Sequence, residues 1–106
     1  MAQQKNIEQI IESLTNQFIN REAPSSSSKV VMDQVLQCLM ETDYQVEKLR
    51  VQADNAKTGP ERMGCNLRVK ALTILTARLQ GVCGMNTNMP TDGEVAWAEK
   101  HFGLGQ

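Results

Sequence analysis

The sequence predicts an all-α protein of four helices, at about residues 7–21, 28–57, 60–81 and 92–102, arranged around one long antiparallel helical hairpin. Three observations predict it. Apolar residues recur at helical spacing over most of the chain. Only four residues are aromatic, Phe18, Tyr44, Trp97 and Phe102, whereas sheet cores lean on aromatic and β-branched side chains. Two long amphipathic segments also meet at one sharp break, Thr58-Gly59-Pro60-Glu61. With 106 residues the chain suffices for a single domain, 1–106, with a flexible connector over 23–28 and a loop over 85–91.

The first helix carries Ile7, Ile10, Ile11, Leu14, Phe18 and Ile19 along one stripe, and Asn6 is placed to cap it. Pro24 disfavours helix at Ala23 and stops it, and the serines at 25–28 read as a linker. In the second helix Met32, Val35, Leu39, Thr42, Val46, Leu49, Ala53 and Ala56 alternate three- and four-residue steps, a heptad seam with one polar member, Thr42. Val31, Leu36 and Met40 are expected to widen its apolar face in the first half. Gly59 then offers a left-handed close to this helix, Pro60 a first-turn residue of the next, and Glu61 a favourable charge at that terminus.

The third helix has a broad apolar face, with Leu72, Leu75, Leu79 and Val82 in one row and Met63, Leu67, Ala71 and Ile74 in another; Gly81 and Gly84 mark its end. Thr91 and Glu94 form a capping box for the fourth helix, with Pro90 and Val95 placed as its hydrophobic staple. Gly103 followed by Leu104 closes it, with Val95, Ala98 and Phe102 on one side and Trp97 just off it.

Folding the two long helices back at the glycine–proline corner sets Leu39 opposite Leu79, Val46 opposite Leu72 and Val35 opposite Cys83. The first and fourth helices then meet at the open end. The tip half of the hairpin has fewer layers to cover it, and a second copy of the chain is the simplest cover, so a helical bundle completed by homodimerisation is expected.

Charge is unevenly distributed. Residues 1–47 carry three basic and seven acidic side chains, residues 48–80 seven basic and two acidic, and residues 81–106 one basic and three acidic. Carboxylate pairs such as Glu8/Glu12 and Glu41/Asp43 read as solvated surface. His101, the single histidine, sits in the last turn of its helix, where a cation is favoured. Cys38, Cys65 and Cys83 have no zinc-site spacing and read as buried thiols in a reducing compartment. No glycine loop resembles a phosphate cradle. No apolar run of signal-peptide or membrane-spanning type is found, and the expected location is cytoplasmic.

No enzyme, metal, cofactor, membrane partner or small-molecule substrate is therefore expected. The function predicted is a small protein-interaction module, an adaptor, regulator or inhibitor, that pairs with itself and with a larger protein. Tyr44, Val46, Leu49, Trp97 and Phe102 are its candidate interface residues. The alternative is a DNA- or RNA-binding regulator whose phosphate contacts come from Lys48, Arg50, Lys57, Arg62, Arg68 and Lys70. The acidic pI near 5.8 and the lack of stacking aromatics in that segment weigh against it.

Overall fold

In a computed structural model, residues 6–20, 28–85 and 88–104 are described, with side chains over 6–19, 32–85 and 88–104. Among them are four helices, α1 (Ile7–Asn20), α2 (Ser28–Asp54), α3 (Gly59–Val82) and α4 (Asp92–His101), and no strand. Arg21, the Pro24 stop, the serines at 25–27, the side chain of Val31 and part of the 85–91 loop lie outside the described residues.

Each helix start follows from its sequence. Asn6 Oδ1 accepts the Gln9 amide at 2.9 Å, and Gln9 Oε1 accepts the Asn6 amide at 3.3 Å, so α1 opens on a reciprocal cap. Thr58 caps α3 by accepting the Glu61 amide at 3.2 Å, with Pro60 in the first turn. Thr91 and Glu94 close the capping box of α4 in both directions.

The break between α2 and α3 differs from expectation. The second helix ends at Asp54 rather than at 57, and Gly59 opens α3 instead of closing α2 in a left-handed turn. The Thr58 cap explains this, because it needs extended backbone (φ −126°, ψ 156°) at the residue before Gly59. Positive φ occurs instead at Gly84 and Gly103, 77° and 74°, just beyond α3 and α4. There the Met85 amide reaches Gln80 O at 2.8 Å and the Leu104 amide reaches Glu99 O at 2.7 Å, satisfying carbonyls that the helix ends would leave open. Gly81 is helical; a side chain there would collide with Met89 Sδ, which lies against it.

The third helix is the centre of the molecule. It packs against all three others, and the backbones of α1 and α4 both lie against α3 rather than against each other. The expected meeting of the first and fourth helices is made by side chains, Glu12 of α1 reaching Glu99 of α4 over the face of α3 they share. Ala71, Leu72, Ile74, Leu75 and Leu79 of α3 are buried with Ile7, Ile11 and Leu14 of α1, Val35 and Cys38 of α2, and Ala98 of α4. Fully burying the leucine, isoleucine and valine side chains among them is worth about 1.5–3 kcal/mol each against leaving them in water. Thr42 is also buried, and its hydroxyl donates to Cys38 O at 2.8 Å, so the polar member of the heptad seam satisfies itself along its own helix. Thr15 does the same on α1 with Ile11 O at 2.7 Å.

Three expectations about faces are overturned. Met63 and Leu67 do not extend the buried row of α3; they are 64% and 36% exposed, because the core lies along the C-terminal half of that helix. Leu36 and Met40 do not widen the buried face of α2; they are 45% and 73% exposed, because the core turns toward Cys38. Glu8 is not solvated: it is buried beside the apolar stripe of α1 and receives Arg68 Nη2 on Oε1 at 2.6 Å. Arg68 also lies over the ring of Phe102, 5.7 Å from its centre, so a single side chain of α3 ties α1 to α4. Glu12 is half-buried, and Glu99 pairs with Arg78 at 3.5 Å.

Glu8 is buried while Arg68 is 45% exposed, so removing Arg68 leaves a buried carboxylate that water can then partly reach. Arg68→Ala is expected to cost about 2 kcal/mol in urea unfolding. Replacing Glu8 and Arg68 together by methionine should cost clearly less than the sum of the two single changes.

Candidate functional site

The outer face of α2 carries an exposed apolar row. Leu36, Met40 and Tyr44 follow at four-residue steps and Val51 falls within the same 80° sector, all about half exposed or more, with Asp33, Glu47 and Asp54 interspersed in that sector. The seam of α2 that packs inward, Val35, Cys38, Leu39, Thr42, Val46, Leu49 and Ala53, occupies the other side of the helix. The Lys48 ammonium lies 5.7 Å from the centre of the Tyr44 ring and Gln45 donates to Glu41 at 3.1 Å, so the polar residues along this face are themselves ordered.

A groove of about 710 Å³ runs along the edge of this face between α1 and α2. Ile7, Ile10 and Leu14 form one wall, Gln34, Gln37, Cys38 and Glu41 the other, and Met40 stands at its lip. Burial pushes the Cys38 thiol up from its ordinary value, with Glu41 adding to the rise and Thr42 opposing it. A smaller hollow of about 370 Å³ lies between α3 and the start of α4, against Lys70, Ile74, Glu94 and Trp97. There Lys70 Nζ sits 5.1 Å from the Trp97 ring centre, and Trp97 stacks on His101 with centres 5.6 Å apart. Hydrogen bonds from Thr91 hold the Glu94 carboxyl below its usual range.

The candidate interface residues divide between surface and core. Tyr44 and Trp97 are exposed, while Val46, Leu49 and Phe102 are partly buried and pack against the core. Leu36, Met40 and Val51 share the face of Tyr44; the four-residue steps from Leu36 to Tyr44 were visible in the sequence, but helical spacing does not show whether that sector widens the inward seam or stays in solvent.

The basic candidates do not gather into one track. Arg68 is taken up by Glu8, Arg62 Nε donates to Ala53 O at 3.3 Å, and Lys48 and Lys70 lie over aromatic rings. Arg50 and Lys57 are exposed. Among the described residues no group of three or more His, Cys, Asp or Glu could hold a metal ion, and no helix is long and apolar enough to cross a membrane. No protein-family model, curated protein or solved structure matches the chain.

The three thiols are free and differ in burial: Cys38 is buried, Cys65 and Cys83 are partly open, and burial raises Cys83 as well as Cys38. Since the thiolate is the reacting form, a maleimide at neutral pH is expected to label Cys65 first and Cys38 last, as read by peptide mass spectrometry over time.

Proposed function

We propose that this chain is a non-enzymatic, cytoplasmic protein-interaction module in which α2 and α3 form an antiparallel hairpin, and that the outer face of α2 pairs with the same face of a second copy. The observation that carries the reading is the exposed row Leu36, Met40, Tyr44 and Val51 on the longest helix. The hairpin is supported by the short 55–58 turn, by Arg62 reaching back to Ala53 O, and by the core that Val35 and Cys38 share with Leu75 and Leu79.

A two-fold pairing of α2 about a point between Asp43 and Tyr44 sets Leu36 of each copy against Val51 of the other. It also brings Lys48 of one copy within a turn of Glu41 of the other on the same flank. Such a pair would cover the apolar row and set Lys48 against Glu41 on its flank, while also bringing Asp33 of each copy toward Asp54 of the other, and it leaves Trp97 and the hollow beside it for a larger protein partner. Regulation by occupancy of these faces, as an adaptor or an inhibitor, is the activity such a module supports.

The nucleic-acid alternative is weakened by the loss of Arg68 to Glu8, since phosphate affinity scales with the cations free to neutralise it. At low salt and micromolar protein, a gel shift with DNA or RNA is expected to show no complex.

Sedimentation equilibrium over a range of concentrations is expected to give twice the chain mass, and Met40→Glu to return the chain mass with helicity unchanged. Lys48→Glu should weaken the pair by about tenfold, and adding Glu41→Lys should restore it, because the two charges then exchange sides. A concentration-independent single-chain mass for the unmodified protein refutes the pairing.

A further inference from the structure

A cluster of ionisable groups that the interaction reading does not use lies where α1 rests on α3 and α4. Glu8 and Glu12 come from α1, Arg68 and Arg78 from α3, and Glu99 from α4. Three carboxylates thus share two guanidinium groups. Arg68 is committed to Glu8 at 2.6 Å, and Arg78 to Glu99 at 3.5 Å. Glu12 is the carboxylate left over. Its Oε2, like that of Glu8, is shut off from solvent with no hydrogen-bond partner among the described residues, but Glu8 has Arg68 on its other oxygen, whereas the Glu12 side chain lies against Glu99. The remaining neighbour of α1, helix α2, brings Glu41 to the groove on the opposite flank and adds no cation to the cluster.

We propose that the Glu12–Glu99 contact is a proton-operated latch: one proton held between the two carboxyl groups fastens α1 to the α3–α4 face, and its loss loosens α1.

The chemistry of the pair supplies the argument. Two carboxylates in contact repel, and neither can donate; with one proton the pair becomes an O–H donor facing a carboxylate acceptor, among the stronger hydrogen bonds in proteins. The proton also balances the cluster, leaving two negative charges against two positive. The Glu12 carboxyl is accordingly pushed up to about 7, by burial first and then by the hydrogen bond to Glu99 and its charge, with Arg78 and Asn16 acting the other way.

The direction of the pH effect follows. A carboxyl whose value in the folded state lies above its ordinary 4.5 takes up a proton on docking, so the hold is fullest at the acid end. It weakens as pH rises from about 4.5 and is fully lost above about 7. Because Glu12 is only partly enclosed, solvent screening reduces the effect to about a tenfold change in the docked-to-loosened ratio between pH 5 and pH 8.

The test is amide hydrogen exchange of the whole protein at those two pH values, with rates corrected for the intrinsic pH dependence of exchange. Protection at Ile11, Leu14 and Thr15 on α1 should be about tenfold higher at the acid pH, while Val46 and Leu49 on α2 should not change. Glu12→Gln should keep α1 equally protected at both. Glu99→Gln removes the shared acceptor but leaves the burial of Glu12, and should shrink the change without abolishing it. A carbon-detected titration should place the Glu12 carboxyl near neutrality. The latch is overturned if α1 protection in the unmodified protein is independent of pH, or if α2 loosens equally. A pH response that survives in Glu12→Gln, as one arising at His101 would, overturns it as well.

Discussion

The fold depends on α3 being enclosed along its C-terminal half. Ala71, Leu72, Ile74, Leu75 and Leu79 point to three different neighbours, so no other pair of helices can define the core without it. With few aromatic residues in the chain, no large ring fills the centre. The contacts are made by aliphatic side chains in ordinary helical packing, and a domain of this size holds only a modest stability margin. Where the aliphatic surface runs out, polar contacts take over. The buried threonines bond to their own helices, and the remaining glue between α1, α3 and α4 is ionic.

What could be read from the sequence follows that division. The helices and most of their ends were legible because helix signals are local. Thr91 and Glu94 stand three residues apart and cap as their types dictate, and Gly103–Leu104 closes α4 by the same short-range geometry. The seam from Met32 to Ala53 was legible because a seven-residue repeat names one face. Gly59 was misread because two local signals compete there. A glycine suits a helix end, but a threonine before Gly-Pro suits a helix start, and the cap at Thr58 wins.

The ionic contacts were not legible, for a physical reason. Glu8 and Arg68 are sixty residues apart, and nothing local distinguishes a glutamate that will be buried from one that will not. Glu8 flanks the stripe of Ile7, Ile11 and Leu14, yet a count of apolar residues passes over it. A buried carboxylate is tolerable only when its partner arrives, and that partner depends on how α1 crosses α3. The same blindness applied to Leu36 and Met40. Their spacing identifies a common sector of α2, but only the position of α1 decides that Cys38, rather than Met40, turns inward.

That dependence on α1 joins the two surfaces of the molecule. Met40 is the most exposed member of the row on α2, and it is also the lip of the groove whose opposite wall is Ile7, Ile10 and Leu14 of α1. A shift of α1 on the α3–α4 face therefore changes what stands beside Met40 without altering α2 itself. Glu12 and the groove occupy opposite flanks of α1, so a change in charge at one flank reaches the other only through movement of the helix as a body. Binding at the groove that favours one position of α1 must then favour the proton state that goes with it, and to the same extent in the reverse direction. If the proton latch operates as proposed, a short helix held by a few charges over a longer helix with an exposed apolar row would couple the two flanks, with α1 as the element that both bias.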